Sequence, residues 1–139
     1  MSLRIALAAA VAFAGMSAAA QAETGKVIDL TQVGCQFVES ENGVNHGYHP
    51  TKKADCVAIN KKTADERLHK AKVMELEPGK YTFRVTNKNV PYELGFWLRS
   101  EGYDWKNPLH KVTKTSVSGG GLTTGKTRGY EVELRPGEY

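Results

Sequence analysis

The stretch Leu76–Arg99, LEPGKYTFRVTNKNVPYELGFWLR, constrains the fold of this chain more than any other. Tyr81, Phe83 and Val85 recur at period two, with Thr82, Arg84 and Thr86 between them, which is the pattern of a strand with one buried face. Asn87–Asn89 and Pro91 break the pattern with turn chemistry. Leu94, Phe96 and Leu98 then resume the alternation. Two half-buried strands joined at a polar corner predict a hairpin at the edge of a β-sandwich. The opening phrase L-E-P-G-K-Y returns at the C-terminus as L-R-P-G-E-Y, ending on Tyr139.

With 139 residues the chain holds one domain at most, and its start reads as a leader rather than part of it. Arg4 precedes an apolar Ala-rich run, Ile5–Ala14, and Ala20-Gln21-Ala22 precedes Glu23. A basic n-region, a short h-region and an A-x-A site describe a secretory signal peptide over residues 1–22. The alternative is a membrane anchor, against which the run falls short of the roughly 20 apolar residues a span needs. The mature domain is then 23–139, exported to the periplasm, with no second apolar segment and so no membrane span. Of the 19 Lys and Arg, removal of Arg4 leaves 18 against 15 Asp and Glu. That small, interspersed excess reads as solvated faces and argues against nucleic acid as a partner.

The two cysteines, Cys35 and Cys56, fall in a chain bound for an oxidising compartment, so a disulfide is the first reading. A loop of this length contributes roughly 3 kcal/mol in the chain-entropy account. A thiolate metal site is the competing reading, without a C-x-x-C to support it. Lys26–Leu30 and Gly34–Val38 alternate loosely as strands. Glu39–Lys53 reads as a loop carrying His46 and His49. A helix falls within Lys52–Lys72, with Thr63 and Glu66 as a capping box and Ala64, Leu68 and Ala71 on its inner face. Val73–Leu76 reads as a short strand, Ser100–Lys126 as a long irregular stretch, and Arg128–Leu134 as a strand with Tyr130, Val132 and Leu134 on one side. Short strands, Gly/Pro turns and one helical insertion predict an all-β sandwich.

The order of P-G-x-Y-x-F-x-V, an Asn-rich corner with Pro, an apolar strand and a closing V-x-L-x-P-G-E-Y resembles the cupredoxin family, and more narrowly bacterial periplasmic cupredoxin-like proteins. The likeness covers roughly Val73–Tyr139. It implies a Greek-key β-sandwich with a mononuclear copper site at one end, electron transfer, and a periplasmic redox or metal-handling protein as partner. The resemblance also places one histidine just after the corner proline and a Cys, a His and usually a Met after the P-G-E-Y turn. Here Pro91 is followed by Tyr92 and Glu93, and the sequence ends at Tyr139. The expectation is therefore either a copper protein whose C-terminal ligand strand is missing or a metal-free relative that serves as an interaction or structural module. A type 1 copper site needs a thiolate and two imidazoles.

The remaining constellations are weaker. Gly120–Thr127, GGLTTGKT, matches the phosphate-loop pattern, but Arg128–Leu134 after it is a strand pattern where that chemistry needs a helix N-terminus. A flexible Gly-rich loop is the better reading. His46 and His49, with Glu93 at the ligand corner, are the candidate metal ligands; His69, His110 and Met74 could join them, and surface histidines are the plainer reading. Trp97, Tyr103 and Trp105 form either a docking patch or, by preference, core packing and a cap on the sandwich end. No nucleophile–base arrangement is legible, so the expectation is a binding protein rather than an enzyme.

Overall fold

The computed structural model describes residues 25–139; the leader read over residues 1–22 lies outside the described residues. The elements are β1 (Lys26–Gln32), α1 (Lys53–Lys70), β2 (Gly79–Asn87), β3 (Leu94–Arg99), the single-turn α2 (His110–Thr113), β4 (Ser116–Leu122) and β5 (Thr127–Leu134), with a 3-10 turn at Glu39–Glu41. The chain is β-rich and its strands form two sheets, β1-β2-β5 and β3-β4. β1 lies parallel to β2, with Leu30 opposite Val85. β5 lies antiparallel to β2, with Phe83 opposite Tyr130. A parallel pair needs a long crossover, and the segment holding α1 supplies it.

The period-two reading of β2 and β5 places the core. Tyr81, Phe83, Val85, Tyr130 and Leu134 turn inward with Leu30 of β1 and meet Phe96 and Leu122 from the second sheet. Aromatic rings bridge the two sheets: Phe83 to Phe96 at 5.7 Å between centroids and Phe96 to Tyr130 at 4.9 Å. Burying each of these large side chains contributes about 1.5–3 kcal/mol before conformational entropy is counted. The phenol groups are satisfied at the core edge, Tyr81 donating to the Glu77 carbonyl at 2.7 Å and Tyr130 to the Gly119 carbonyl at 3.1 Å.

Several local expectations need correction. β2 and β3 do not form a hairpin: they belong to different sheets, and the polar corner carries the chain from one to the other. Gly34–Val38 is turn rather than strand, and Val73–Leu76 has no regular structure, with Val73 86 % exposed. The irregular stretch contains β4, which pairs with β3. Its three glycines hid it, because glycine packs nothing on a strand face and lowers the strand signal. They serve a packing purpose here: a Cβ on Gly119 would stand 3.0 Å from Cε1 of Tyr130. The GGLTTGKT segment is thus half strand and half inter-strand turn, and β5 rather than a helix follows it.

The helix exists but is built differently from expectation. It begins at Lys53, where Asp55 reaches back to accept from the Thr51 and Lys52 N–H groups and the Thr51 hydroxyl. Thr63 lies in the helix interior and donates to the Ile59 carbonyl, while Glu66 pairs with Lys70, so the Thr63–Glu66 capping box does not form. Leu68 is exposed; the inner face is the polar stripe Cys56, Asn60, Thr63 and Arg67. Among the described residues, no helix is long and apolar enough to cross a membrane.

Candidate functional site

The site grows out of the polar corner between β2 and β3. Asn87 closes β2 with its side chain fully buried. Its Nδ2 donates to the carbonyls of Leu122 (2.9 Å), Val90 (3.1 Å) and Tyr92 (3.3 Å), and its Oδ1 accepts from the Val90 N–H at 2.9 Å. Its backbone exchanges bonds with the β4–β5 turn, the Asn87 N–H donating to Lys126 and the Gly125 N–H to Asn87. One amide therefore satisfies four backbone groups of two chain segments, the corner itself and the end of β4.

The corner presents Tyr92 to the disulfide. Cys35 and Cys56 are bonded, which joins the turn after β1 to the first half of α1. The Tyr92 hydroxyl lies 3.3 Å from the Cys56 sulfur. Burial pushes its phenol up from the ordinary value, and the Asp55 charge adds to the rise, so Tyr92 is neutral at physiological pH. Between the corner, the turn after β1 and the start of α1 lies a cleft of about 370 Å³, within the range of small-molecule sites. Gln32, Glu39, Tyr92, Val57 and both cysteines contribute to its wall.

Behind the cleft, α1 is held by a buried ion pair. Arg67 and Glu41 are each more than nine-tenths buried. Arg67 donates twice, Nε to Glu41 Oε1 at 2.7 Å and Nη2 to Oε2 at 2.9 Å, and Nη2 also reaches the Cys35 carbonyl at 2.7 Å. Glu41 further accepts from the Phe37 and Val38 N–H groups. Burial pushes the Glu41 carboxyl up, but the Arg67 and backbone hydrogen bonds together outweigh it and hold the group at about 2. The carboxylate and guanidinium satisfy each other in the fork geometry that makes such pairs tolerable in an interior.

The residues singled out from sequence are scattered around this arrangement. The disulfide forms as expected. His46 is committed to Glu41, Nε2 to Oε1 at 3.0 Å, and stacks on Tyr48. His49 is exposed three residues on. Glu93 is at the corner, where its Oε1 accepts from the Gly121 N–H at 2.9 Å. Among the described residues, no group of three His, Cys, Asp or Glu is placed to hold a metal ion. His69 is exposed on α1, and His110 is folded into its own loop by the Asp104 N–H and the Asn107 amide. Trp97 is not core: it is 70 % exposed on the outer side of β3, with the Arg99 guanidinium 4.8 Å from its ring, and Trp105 is exposed too. Sequence reasoning missed Gln32, Glu39, Glu41 and Arg67. For Arg67 a signal existed, because it lies eleven residues after Cys56, on the helix face that a disulfide would turn inward. For Gln32 the period-two phase of β1, which puts it on the same face as buried Leu30, was a weak signal; for Glu39 and Glu41, in a polar segment without period, there was none.

No family model, curated protein or solved structure matched the chain.

Proposed function

We propose that residues 23–139 form a cupredoxin-like Greek-key domain of a periplasmic protein, and that it works as a binding module at its Asn87–Glu93 corner without a thiolate copper centre. The observation that carries this reading is the state of the corner. Tyr92, in the position where the resemblance calls for a histidine, faces a sulfur that is tied up in the disulfide, beside an open cleft. The fold half of the reading is supported by the parallel β1–β2 pair, the antiparallel β2–β5 pair and the passage between sheets at the corner. Export is supported by the disulfide, which persists in oxidising compartments.

A type 1 centre draws on a thiolate and two imidazoles, and neither cysteine of this chain offers a thiolate. His46 spends one ring nitrogen on Glu41, and Glu93 is engaged by a backbone N–H. The residues present do not fit that centre. Binding rather than turnover is proposed because the cleft wall combines amides, carboxylates and a phenol without a nucleophile–base pair.

Copper titration tests the reading. Cu(II) added to the oxidised protein should give no intense thiolate-to-copper band. Any weak binding should vanish in the His46→Ala/His49→Ala double variant. A stoichiometric complex with that band would overturn the proposal and restore the copper-carrier alternative, with its redox or metal-handling partner.

A further inference from the structure

β3 runs away from the corner, and at its far end the chain enters the loop that leads through α2 to β4. This loop is bonded to itself. The Lys106 N–H donates to Asp104 Oδ1 at 2.9 Å, the Leu109 N–H to Asn107 Oδ1 at 3.0 Å and the Asp104 N–H to His110 Nδ1 at 2.9 Å. The His110 and Thr113 N–H groups donate to the carbonyls of Asn107 and Leu109. Its base is tied to the body: Lys114 Nζ reaches the Glu101 carbonyl at 2.7 Å, and Arg135 Nη1 reaches the Thr113 carbonyl at 3.0 Å. The loop is thus ordered by polar contacts, without burying its large apolar side chains.

Those side chains face outward instead. Trp105 is 63 % exposed, Leu109 66 % and Val112 71 %, and none of them belongs to the core. Leu109 and Val112 stand three residues apart on the turn of α2, so they share a face. Three large apolar side chains presented by one short self-satisfied loop form a patch of the kind that marks an interaction site. From Trp105 to Thr115 the charged residues are Lys106, Lys111 and Lys114 alone. The acids of the loop, Glu101 and Asp104, both precede this stretch, and Asp104 turns its carboxylate onto the Lys106 N–H. Lys114 is spent on the base of the loop, which leaves Lys106 and Lys111 exposed beside the apolar group. The Lys106 ammonium lies 5.4 Å from the centre of the Trp105 ring.

We propose that this loop docks the protein on an anionic lipid surface, with Trp105, Leu109 and Val112 entering the boundary between headgroups and acyl chains and Lys106 and Lys111 meeting lipid phosphates. The composition selects lipid over a protein partner. Lysine is depleted from protein–protein contact surfaces, whereas an indole and aliphatic groups edged by lysine match the layered polarity of a bilayer interface. Backbone groups satisfied within the loop suit entry into a layer poor in water. Three side chains and two charges make a reversible attachment rather than an anchor. The loop lies at the opposite end of β3 from the corner, so its occupancy is independent of what the cleft holds.

The test is co-sedimentation of the oxidised protein with vesicles of phosphatidylcholine carrying one part in four phosphatidylglycerol, and with vesicles of phosphatidylcholine alone. Binding should be saturable and at least about tenfold tighter to the anionic vesicles. The chain has two tryptophans, so Trp97→Phe leaves Trp105 as the single reporter. Its emission should move to the blue on binding and be quenched by lipids brominated on the acyl chains. Leu109→Ser with Val112→Ser changes exposed positions, so the fold is kept, as circular dichroism verifies, and binding should fall at least about tenfold. Lys106→Glu with Lys111→Glu should cost a similar factor. Lys61→Glu with Lys62→Glu makes the same change of charge on the exposed face of α1 and should cost about twofold or less. Absence of vesicle binding, an unshifted and unquenched Trp105 in the bound protein, or an equal loss in the α1 variant would overturn the proposal. So would self-association in sedimentation velocity that the Leu109/Val112 variant abolishes while vesicles are ignored, since a second copy would then be what covers the loop.

Discussion

Replacing Glu41 with Gln isolates the ion pair that docks α1. The substitution preserves volume and one carbonyl oxygen but deletes the charge facing Arg67. The new amide N–H₂ would confront donors at whichever side it takes, Arg67 Nε on the Oε1 side or Arg67 Nη2 with the Phe37 and Val38 N–H groups on the Oε2 side. Two routes give the magnitude. The fall of the Glu41 carboxyl from 4.5 to about 2 corresponds to about 3 kcal/mol of native-state preference for the ionised form. Breaking a buried pair while leaving one charge behind costs about 3–5 kcal/mol in comparable sites. The sign of the pH dependence follows from the lowered value. The contribution is fully present above pH 4.5 and is lost as pH falls toward 2, because the unfolded chain takes up the proton first. Urea unfolding followed by far-ultraviolet circular dichroism, on oxidised protein, measures this. At pH 7 the variant should be about 3 kcal/mol less stable than the natural chain, and by pH 3 the gap should shrink to about half or less. Adding Arg67→Met should recover most of the loss, since an apolar side chain of similar length leaves no orphan charge. A deficit under about 1 kcal/mol at pH 7, or a gap that does not narrow in acid, would refute the reasoning.

Three further outcomes are expected. Asn87→Ala leaves three carbonyls and one N–H of the corner without their partner and should cost about 3–4 kcal/mol in urea unfolding, with backbone shifts in NMR concentrated at Val90, Tyr92 and Leu122. Cys35→Ser with Cys56→Ser opens a loop of sequence separation 21 and should lower stability by about 3 kcal/mol; the same loss should follow reduction of the natural protein. Gly119→Val drives a side chain into Tyr130 and should cost about 1–3 kcal/mol, visible as a lower Tm, whereas Gly125→Asn, at a positive φ with open space around it, should be close to neutral.

The β2 and β5 strands were legible because each carries a single buried face, and period two survives any tertiary arrangement that keeps that face inside. The disulfide was legible from the cysteine count and the expectation of an exported chain. What misled was local chemistry read without its surroundings. Thr63 and Glu66 have capping spacing, but the helix had already started ten residues earlier at Lys53, where Asp55 caps it. Trp97 has core chemistry but sits on the outward phase of β3 beside buried Phe96. The docking of α1 was invisible because it uses a polar stripe and an ion pair, and a hydrophobic period is the wrong signal for that.

The stretch Leu76–Arg99 shows where the division lies. Its alternation determined by itself that two strands flank a corner and which side chains are buried, because those facts depend only on neighbours along the chain. Tertiary structure alone decided that the strands part into different sheets, since that follows from Asn87 bonding to the β4–β5 link about 35 residues away. It alone brought Gln32, Glu39, the Cys56 sulfur and Tyr92 to one cleft. These groups come from four separate segments with no shared period, so their meeting is a property of packing, and with it the chemistry of the site.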